Sequence, residues 1–192
     1  MKLILASSSP RRKALLKVLG LEFDIVVSDC DEDIDFSSSV SDAVMELSKR
    51  KASSVADISD NNSIIIGADT VVVYDRSVLG KPKDKTEAIQ MLKTLNGNTH
   101  QVITGFTIIN NIDGTIVSDY EVSSVTFKKL TEAEIIEYVN NNNTLDKAGA
   151  YSIQGTASSF VEKLDGDYNN VVGLPIFKLS KYLYNKFNIE NH

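Results

Sequence analysis

Ser63–Val73, which reads SIIIGADTVVV, is the most apolar strand candidate in the chain. β-branched residues fill it on both sides of a short polar interruption at Gly67–Thr70. A run this apolar is the pattern of a strand buried on both faces, so it predicts the centre of a sheet. An ionised carboxylate within such a strand must be paired, bound to a metal or shifted in its proton affinity. Asp69 is therefore a candidate functional residue. The alternative is a strand-end aspartate facing water, and the apolar residues that continue beyond it weigh against that. Gly67 leaves room for another backbone or a ligand to come close.

Working outward from this strand, Lys2–Ala6 predicts a short buried strand, followed by a polar turn at Ser7-Ser8-Ser9. Ser9 suits an N-cap, Pro10 the first helical position and Gly20 a stop, so a helix is expected over Pro10–Leu19. Glu22–Val27 predicts a second strand, Ser28–Ser41 a long acidic loop and Asp42–Ala56 a helix. Past the central strand, a small hairpin is expected around Asp75–Ser77, a helix over Thr86–Leu95 and strands over Gln101–Asn110 and Ile116–Phe127. The last two strands are joined at Asp113-Gly114, a hairpin dipeptide. Thr131 with Glu134 predicts a capping box opening a helix to about Val139. Asp146–Gly173 is rich in glycine and polar residues, with short strands at best, and Pro175 opens a last helix to about Phe187. Strands and helices mix without repeat or linker, which gives an α/β or α+β layered domain over 1–192.

Composition sets the bounds. The 192 residues are 42% hydrophobic and 24% charged, an ordinary globular mixture that excludes collagen-like, coiled-coil and wholly disordered chains. A domain of this size buries roughly 70% of the surface its unfolded chain exposes, so it needs neither disulfides nor a structural metal to fold. With 20 Lys+Arg against 26 Asp+Glu, the net charge of -6 disfavours general nucleic-acid binding while leaving room for a local anion site. Cys30 is the single cysteine; it fits no zinc spacing and suits a reducing compartment. The N-terminus lacks the features of a signal peptide, and no run approaches the ~18 apolar residues of a membrane span. A cytoplasmic location is expected.

Five places carry candidate chemistry. At Ser7-Ser8-Ser9-Pro10-Arg11-Arg12-Lys13, three cations stand at a helix start that is already positive. Either they are solvated surface charges, or an anion binds among them, with the hydroxyls and free N–H groups forming a phosphate cradle. On the helical wheel, Lys51 falls in the sector of Val44, Leu47, Ser48 and Val55, with Arg50 roughly opposite. An inward lysine needs an anionic partner or snorkels to the rim. Lys81, in Leu79-Gly80-Lys81-Pro82-Lys83, is held out of helix by Pro82 and either overhangs a cleft or marks a basic loop. The acidic stretch Asp29–Asp33 either is a solvated loop or, near a phosphate site, offers oxygen ligands to Mg²⁺ or Mn²⁺; its spacing is not that of an EF-hand. In Asp146–Gly155, DKAGAYSIQG, the Gln154 amide carries both a donor and an acceptor, which suits either a base edge or a structural loop. His100 and His192 have no partner in a known triad pattern. Ser48–Lys51, SKRK, reads as helix rather than as a nucleic-acid patch.

Together these segments resemble, in order and over nearly the whole chain, the Maf family of nucleoside triphosphate pyrophosphatases. The resemblance rests on Leu5-Ala6-Ser7 leading into Ser9-Pro10-Arg11-Arg12, on Glu32, on Lys51 in KRKA and on Gly67-Ala68-Asp69-Thr70. It continues through Leu79-Gly80-Lys81-Pro82, HQVITG at His100–Gly105, DKAGAYSIQG, and Gly166-Asp167-Tyr168 leading to Val172–Pro175. It implies a mixed-sheet α/β fold like that of the inosine triphosphate pyrophosphatases, with two lobes around a cleft. It implies hydrolysis between the α- and β-phosphates to a monophosphate and pyrophosphate, a required divalent cation, a homodimer and a link to arrest of cell division. By resemblance Glu32 and Asp69 position the metal and the attacking water, with Asp69 either the proton acceptor or a metal ligand, and Lys51 and Lys81 join them as catalytic residues. Ser7, Ser9, Arg11, Arg12, Thr70 and Gln154 bind substrate. Arg11, Thr70 and Gln154 look like the branch acting on dTTP and UTP rather than the 7-methyl-GTP branch. Ser152 departs from the common glycine and bears on fine specificity. A triphosphate-binding regulator of division with little turnover is the competing reading.

Overall fold

The computed structural model describes residues 1–36 and 39–189. The elements follow in the order β1 (Lys2–Leu5), α1 (Pro10–Lys17), β2 (Asp24–Ile25), α2 (Val40–Ala56), β3 (Ser63–Tyr74), β4 (Ser77–Leu79) and α3 (Lys85–Leu95). Then come β5 (Thr99–Asn110), β6 (Ile116–Phe127), α4 (Glu132–Asn141), β7 (Val161–Asp165), α5 (Tyr168–Val172) and α6 (Ile176–Phe187). The strand order is β2-β1-β3-β5-β6-β7, with β4 on β3. The sheet is mixed, as expected. β1 runs parallel to β2 and β3, placing Leu3 opposite Ile64 and Leu5 opposite Ile66, whereas β3–β4 and β6–β7 are antiparallel.

The chain divides into two compact units. One holds Met1–Asp69, Thr104–Glu121 and the segment that begins at Gly173; the other holds Thr70–Ile103 and Val122–Val172. β3 therefore passes from the first unit to the second between Asp69 and Thr70.

In the first unit, α2 is the element that matters for chemistry. Ser39 caps it through a bond from Asp42 N, and its apolar stripe buries Ala43, Val44, Leu47, Ala52 and Val55. The helix lies unusually close to the sheet because glycine stands beneath it on two strands. A Cβ on Gly67 of β3 would fall 2.3 Å from the Ser48 carbonyl oxygen and 2.7 Å from Ala52 N. A Cβ on Gly105 of β5 would fall 2.6 Å from the Val44 carbonyl. The buried hydroxyls of Ser48 and Thr107 bond each other, and a chain of donors runs on to the exposed Ser118. Ser48 donates to the Met45 carbonyl, so Thr107 donates to Ser48 at 2.7 Å and Ser118 to Thr107 at 2.8 Å. On the same unit, α6 is tied to β6 by Tyr182 donating to Asp119 at 2.9 Å and by Lys178 pairing with Glu121 at 3.1 Å.

In the second unit, α3 and α4 pack around a core that includes Val72, Leu92, Leu95, Val125, Phe127, Ile135, Tyr151 and Phe160. The capping box of α4 is complete, with Thr131 and Glu134 each bonding the other's backbone N–H. The hairpin after β3 turns at Asp75 and Arg76, both at positive φ.

Two expectations are corrected. The strand expected over Glu22–Val27 is reduced to Asp24–Ile25, both exposed, since this edge pairs with β1 at two positions only. The stretch Asp146–Gly173 holds a helix, α5, besides β7. Asn170 is fully buried there and donates to the Val102 carbonyl and to Ser123, so tertiary hydrogen bonds override a poor helix propensity. Of the acidic loop expected over Ser28–Ser41, Ser37 and Ser38 lie outside the described residues, and α2 begins at Val40.

The glycine seat yields a direct test. Gly67→Ala should lower stability by about 2–3 kcal/mol, a cost typical of forcing extra volume into a packed core. Urea denaturation checks this outcome; an alanine variant as stable as the parent would contradict the close packing.

Candidate active site

The polar centre of the first unit forms where α2 crosses the end of that unit's β3 segment. Lys51 sits in the inward sector of α2 and is 6% exposed. Its ammonium donates to Asp69 Oδ1 at 2.6 Å and lies 3.1 Å from Glu32 Oε1. The inward lysine thus has anionic partners instead of snorkelling. Asp69 is largely shielded, its side chain 13% exposed, whereas Glu32 reaches in from an exposed loop. A buried ion pair of this kind is held by desolvated charge, and removing one partner leaves the other uncompensated.

The cationic start of α1 belongs to the same unit. Ser9 caps the helix through Arg12 N. Ser7 is buried and accepts from Ser9 N at 3.2 Å and from Arg12 Nη1 at 3.4 Å. Arg12 Nε donates to the Gly173 carbonyl at 2.8 Å, so this arginine also fastens the turn before α6. Burial pulls the Arg12 pKa down from its ordinary value, the charge of Asp69 opposes that shift, and Arg11 reinforces it, with Glu32 opposing. The guanidinium therefore feels both acids of the Lys51 cluster and the neighbouring cation. Arg11 is half-buried and Lys13 exposed. Cys30 is half-buried; burial raises its thiol pKa, Lys51 and Arg50 oppose that rise, and Glu32 and Asp29 add to it.

The remaining candidates lie in the second unit. Thr70 follows Asp69 along β3 and is half-buried; Lys81 and Gln154 are exposed. The two loops that carry Lys81 and Gln154 are joined by Gly149 N donating to the Gly80 carbonyl at 3.0 Å. Gln154 N donates to Ser152 Oγ at 3.3 Å, so the serine that departs from the common glycine pins the backbone of the glutamine. Beneath the loop, Tyr151 OH and His100 Nε2 lie 2.7 Å apart, and both rings pack edge-on to Phe127.

Of the residues expected from the sequence, the structure brings Lys51, Glu32, Asp69 and the α1 cations into one unit. Sequence reasoning missed the supports. Gly105 was visible within HQVITG, but nothing in the sequence says that α2 lies on it. Arg50, assigned to the outer face, donates to the Asp33 carbonyl at 2.9 Å and so holds the loop that carries Glu32.

Fold and site define an α/β protein whose polar centre is a lysine between two carboxylates beside a cationic helix start. The chain belongs to the Maf family: the family model described as Maf-like protein matches residues 2–186. It is 50% identical over 188 residues to the dTTP/UTP pyrophosphatase of Alkaliphilus oremlandii, covering 98% of this chain and 97% of that protein. It is 52% identical over 191 residues to the dTTP/UTP pyrophosphatase of Bacillus anthracis, covering 98% of this chain and 97% of that one. Among solved structures, the Staphylococcus aureus Ham1 protein aligns with a TM-score of 0.56 over 97% of this chain and 100% of that chain, at 13% identity, a likeness of fold. Among the described residues no helix is long and apolar enough to cross a membrane.

His100 gives a pH signature. It is 2% exposed and among the described residues its Nδ1 has no partner, so a second proton there would be buried without an acceptor. Burial lowers its pKa from 6.5 to about 4. The unfolded chain therefore binds this proton more readily. The contribution of His100 to stability is present in full above pH 6.5 and is lost as pH falls through about 4, roughly 3 kcal/mol in all. Urea midpoints measured from pH 7 to pH 4 should show this fall, and His100→Asn should flatten the part of the curve below pH 6.5.

Proposed function

We propose that this protein is a nucleoside triphosphate pyrophosphatase acting on dTTP and UTP. Water adds across the anhydride between the α- and β-phosphates, and the products are the nucleoside monophosphate and pyrophosphate. The observation that carries the chemistry is the buried Lys51 held at 2.6 Å by Asp69 and at 3.1 Å by Glu32. Replacing a buried ion pair by apolar packing is often neutral or stabilising, so the presence of this one supports a role beyond stability. The specific substrate is supported by relatives at 50% and 52% identity that carry that name.

In this reading Asp69 accepts the proton of the attacking water, and its rigid strand position suits a general base. Lys51 fixes the orientation of both carboxylates. Arg11, Arg12, Ser7 and Ser9 take phosphate oxygens at the start of α1, where the helix dipole and unpaired N–H groups favour anions. Lys81 adds a further cation to the triphosphate, Thr70 contacts substrate beside Asp69, and Gln154 pairs its amide with the O4 and N3–H edge of uracil or thymine.

The carboxylate pair suits Mg²⁺ or Mn²⁺, which commonly takes one or two protein carboxylates and completes its shell with substrate phosphates and water. Among the described residues no three or more His, Cys, Asp or Glu side chains gather into a metal-binding group. Glu32 and Asp69 would hold the cation, which when bound neutralises developing charge on the phosphates and makes water more acidic. The proposal further includes a cytoplasmic setting, which the lone Cys30 suits, and a homodimer, which rests on the family resemblance.

The decisive experiment measures pyrophosphate release by the purified protein across a panel of canonical and modified nucleotides with Mg²⁺ or Mn²⁺. dTTP and UTP should be turned over fastest. A nucleotide that protects against heat without yielding product would turn the reading toward a binding regulator, and a preference for 7-methyl-GTP would overturn the base assignment. Asp69→Asn should lower kcat by about 10²- to 10⁴-fold, the usual loss of a general base, while leaving the far-ultraviolet circular dichroism unchanged. A near-parental rate would remove Asp69 from the mechanism. Gln154→Glu should narrow the preference for UTP and dTTP over other nucleotides, whereas unchanged relative rates would free Gln154 of that role.

A further inference from the structure

We propose that Arg50 is a positioning residue for Glu32, holding the acidic loop so that this carboxylate meets Lys51. The inference rests on the functional reading above for its consequence in catalysis and on geometry alone for the clamp.

Residues 27–36 form neither helix nor strand, so no ladder of backbone hydrogen bonds fixes the segment that carries Glu32. A side chain from α2 grips it. Arg50 Nη1 donates to the Asp33 carbonyl at 2.9 Å and, more weakly, to the Asp31 carbonyl at 3.5 Å. These carbonyls flank Glu32. The third contact of the guanidinium sets its own rotamer, with Nε donating to Glu46 Oε1 at 3.2 Å one helical turn earlier. The tripeptide is braced again from within, where Asp33 N donates to Asp31 Oδ1 at 2.9 Å.

Arg50 and Lys51 are thus consecutive residues of one helix that grip one tripeptide at different points. Arg50 takes the main chain on either side of Glu32, and Lys51 takes its carboxylate. The planar guanidinium matters, because one nitrogen must serve two carbonyls while another serves Glu46. A lysine would keep the charge and lose that fork. A purely electrostatic role, a cation offsetting the acids of Asp29–Asp33, would be served by lysine as well.

The test has two independent arms. In the first, backbone amide hydrogen exchange is followed over the peptide spanning 29–35. Arg50→Ala should speed exchange by fivefold or more, and Arg50→Lys should resemble it. Exchange unchanged in both variants, or restored to parental rates by lysine, overturns the clamp. This arm needs no substrate, so it decides the geometry even if no nucleotide is hydrolysed, an outcome that would sink the functional reading by itself.

In the second arm, pyrophosphate release is measured for Arg50→Ala, Glu32→Gln and the double variant. Arg50→Ala should lower kcat about tenfold, raise the Mg²⁺ concentration needed for half-maximal rate, and leave the nucleotide KM within twofold. The melting temperature should change little, since exposed ion pairs contribute little to stability. Added to Glu32→Gln, the same change should cost nothing more. Equal losses from Arg50→Ala in the presence and absence of Glu32 would show that it acts elsewhere and would overturn the assignment.

Discussion

A lysine ammonium withdrawn from water is tolerable only where carboxylates meet it at hydrogen-bond distance, and that constraint organises the first unit around Lys51. Asp69 supplies one carboxylate from inside a strand, and Glu32 the other from a loop. For a helix residue to reach a strand residue so directly, the helix must lie nearly on the sheet. Glycine at 67 and 105 permits this, and any side chain at either position would meet the backbone of α2. The pairing of the buried Ser48 and Thr107 hydroxyls, with the exposed Ser118 bonded to Thr107 in turn, follows from the same closeness. Buried polar groups need hydrogen-bond partners, and Ser48 and Thr107 supply one another's.

Much of this arrangement is legible in the amino-acid sequence. The wheel position of Lys51, the carboxylate of Asp69 inside an apolar strand and the capping signals of α1 and α4 are local properties, and local properties are what a sequence displays. The misses share a cause. β2 is short because an edge strand is decided by how many partners it finds, not by its own pattern. The helix at Tyr168–Val172 is hidden because its asparagine is held by bonds to Val102 and Ser123, distant in the chain. Gly105 looks like an ordinary strand glycine, because the helix that needs it lies far off in sequence. Arg50 looks like a solvated charge for the same reason: its bonds go to backbone carbonyls, and carbonyls carry no sequence signature.

The second unit solves a different problem, that of presenting a polar side chain on an exposed loop without letting the loop wander. Gln154 is exposed, yet the backbone around it is held at three points. Gly149 N bonds the Gly80 carbonyl, Ser152 Oγ takes Gln154 N, and Tyr151 is sunk into an aromatic cluster against His100 and Phe127. Burial favours the neutral imidazole, which keeps an unpaired charge out of that cluster. In the proposed function the glutamine reads a base edge, and these contacts fix the backbone from which its side chain extends.

The arginines at the start of α1 show why charge alone is a poor guide to a site. Three cations at a positive helix end look like an anion site, but Arg12 commits its Nε to the Gly173 carbonyl and an Nη to Ser7. A guanidinium carries five donors in a rigid plane, so it can brace the backbone and still turn other N–H groups toward a ligand. Lysine could not divide its work in that way, because its ammonium has no plane to share. The same logic applies on α2, where Arg50 takes main-chain carbonyls and Lys51 takes carboxylates. At both places arginine fixes the frame. At Lys51 a compact ammonium supplies the point charge around which the acids are set. In a protein of net charge -6, these cations are set among acids and hydrogen bonds that fix their positions.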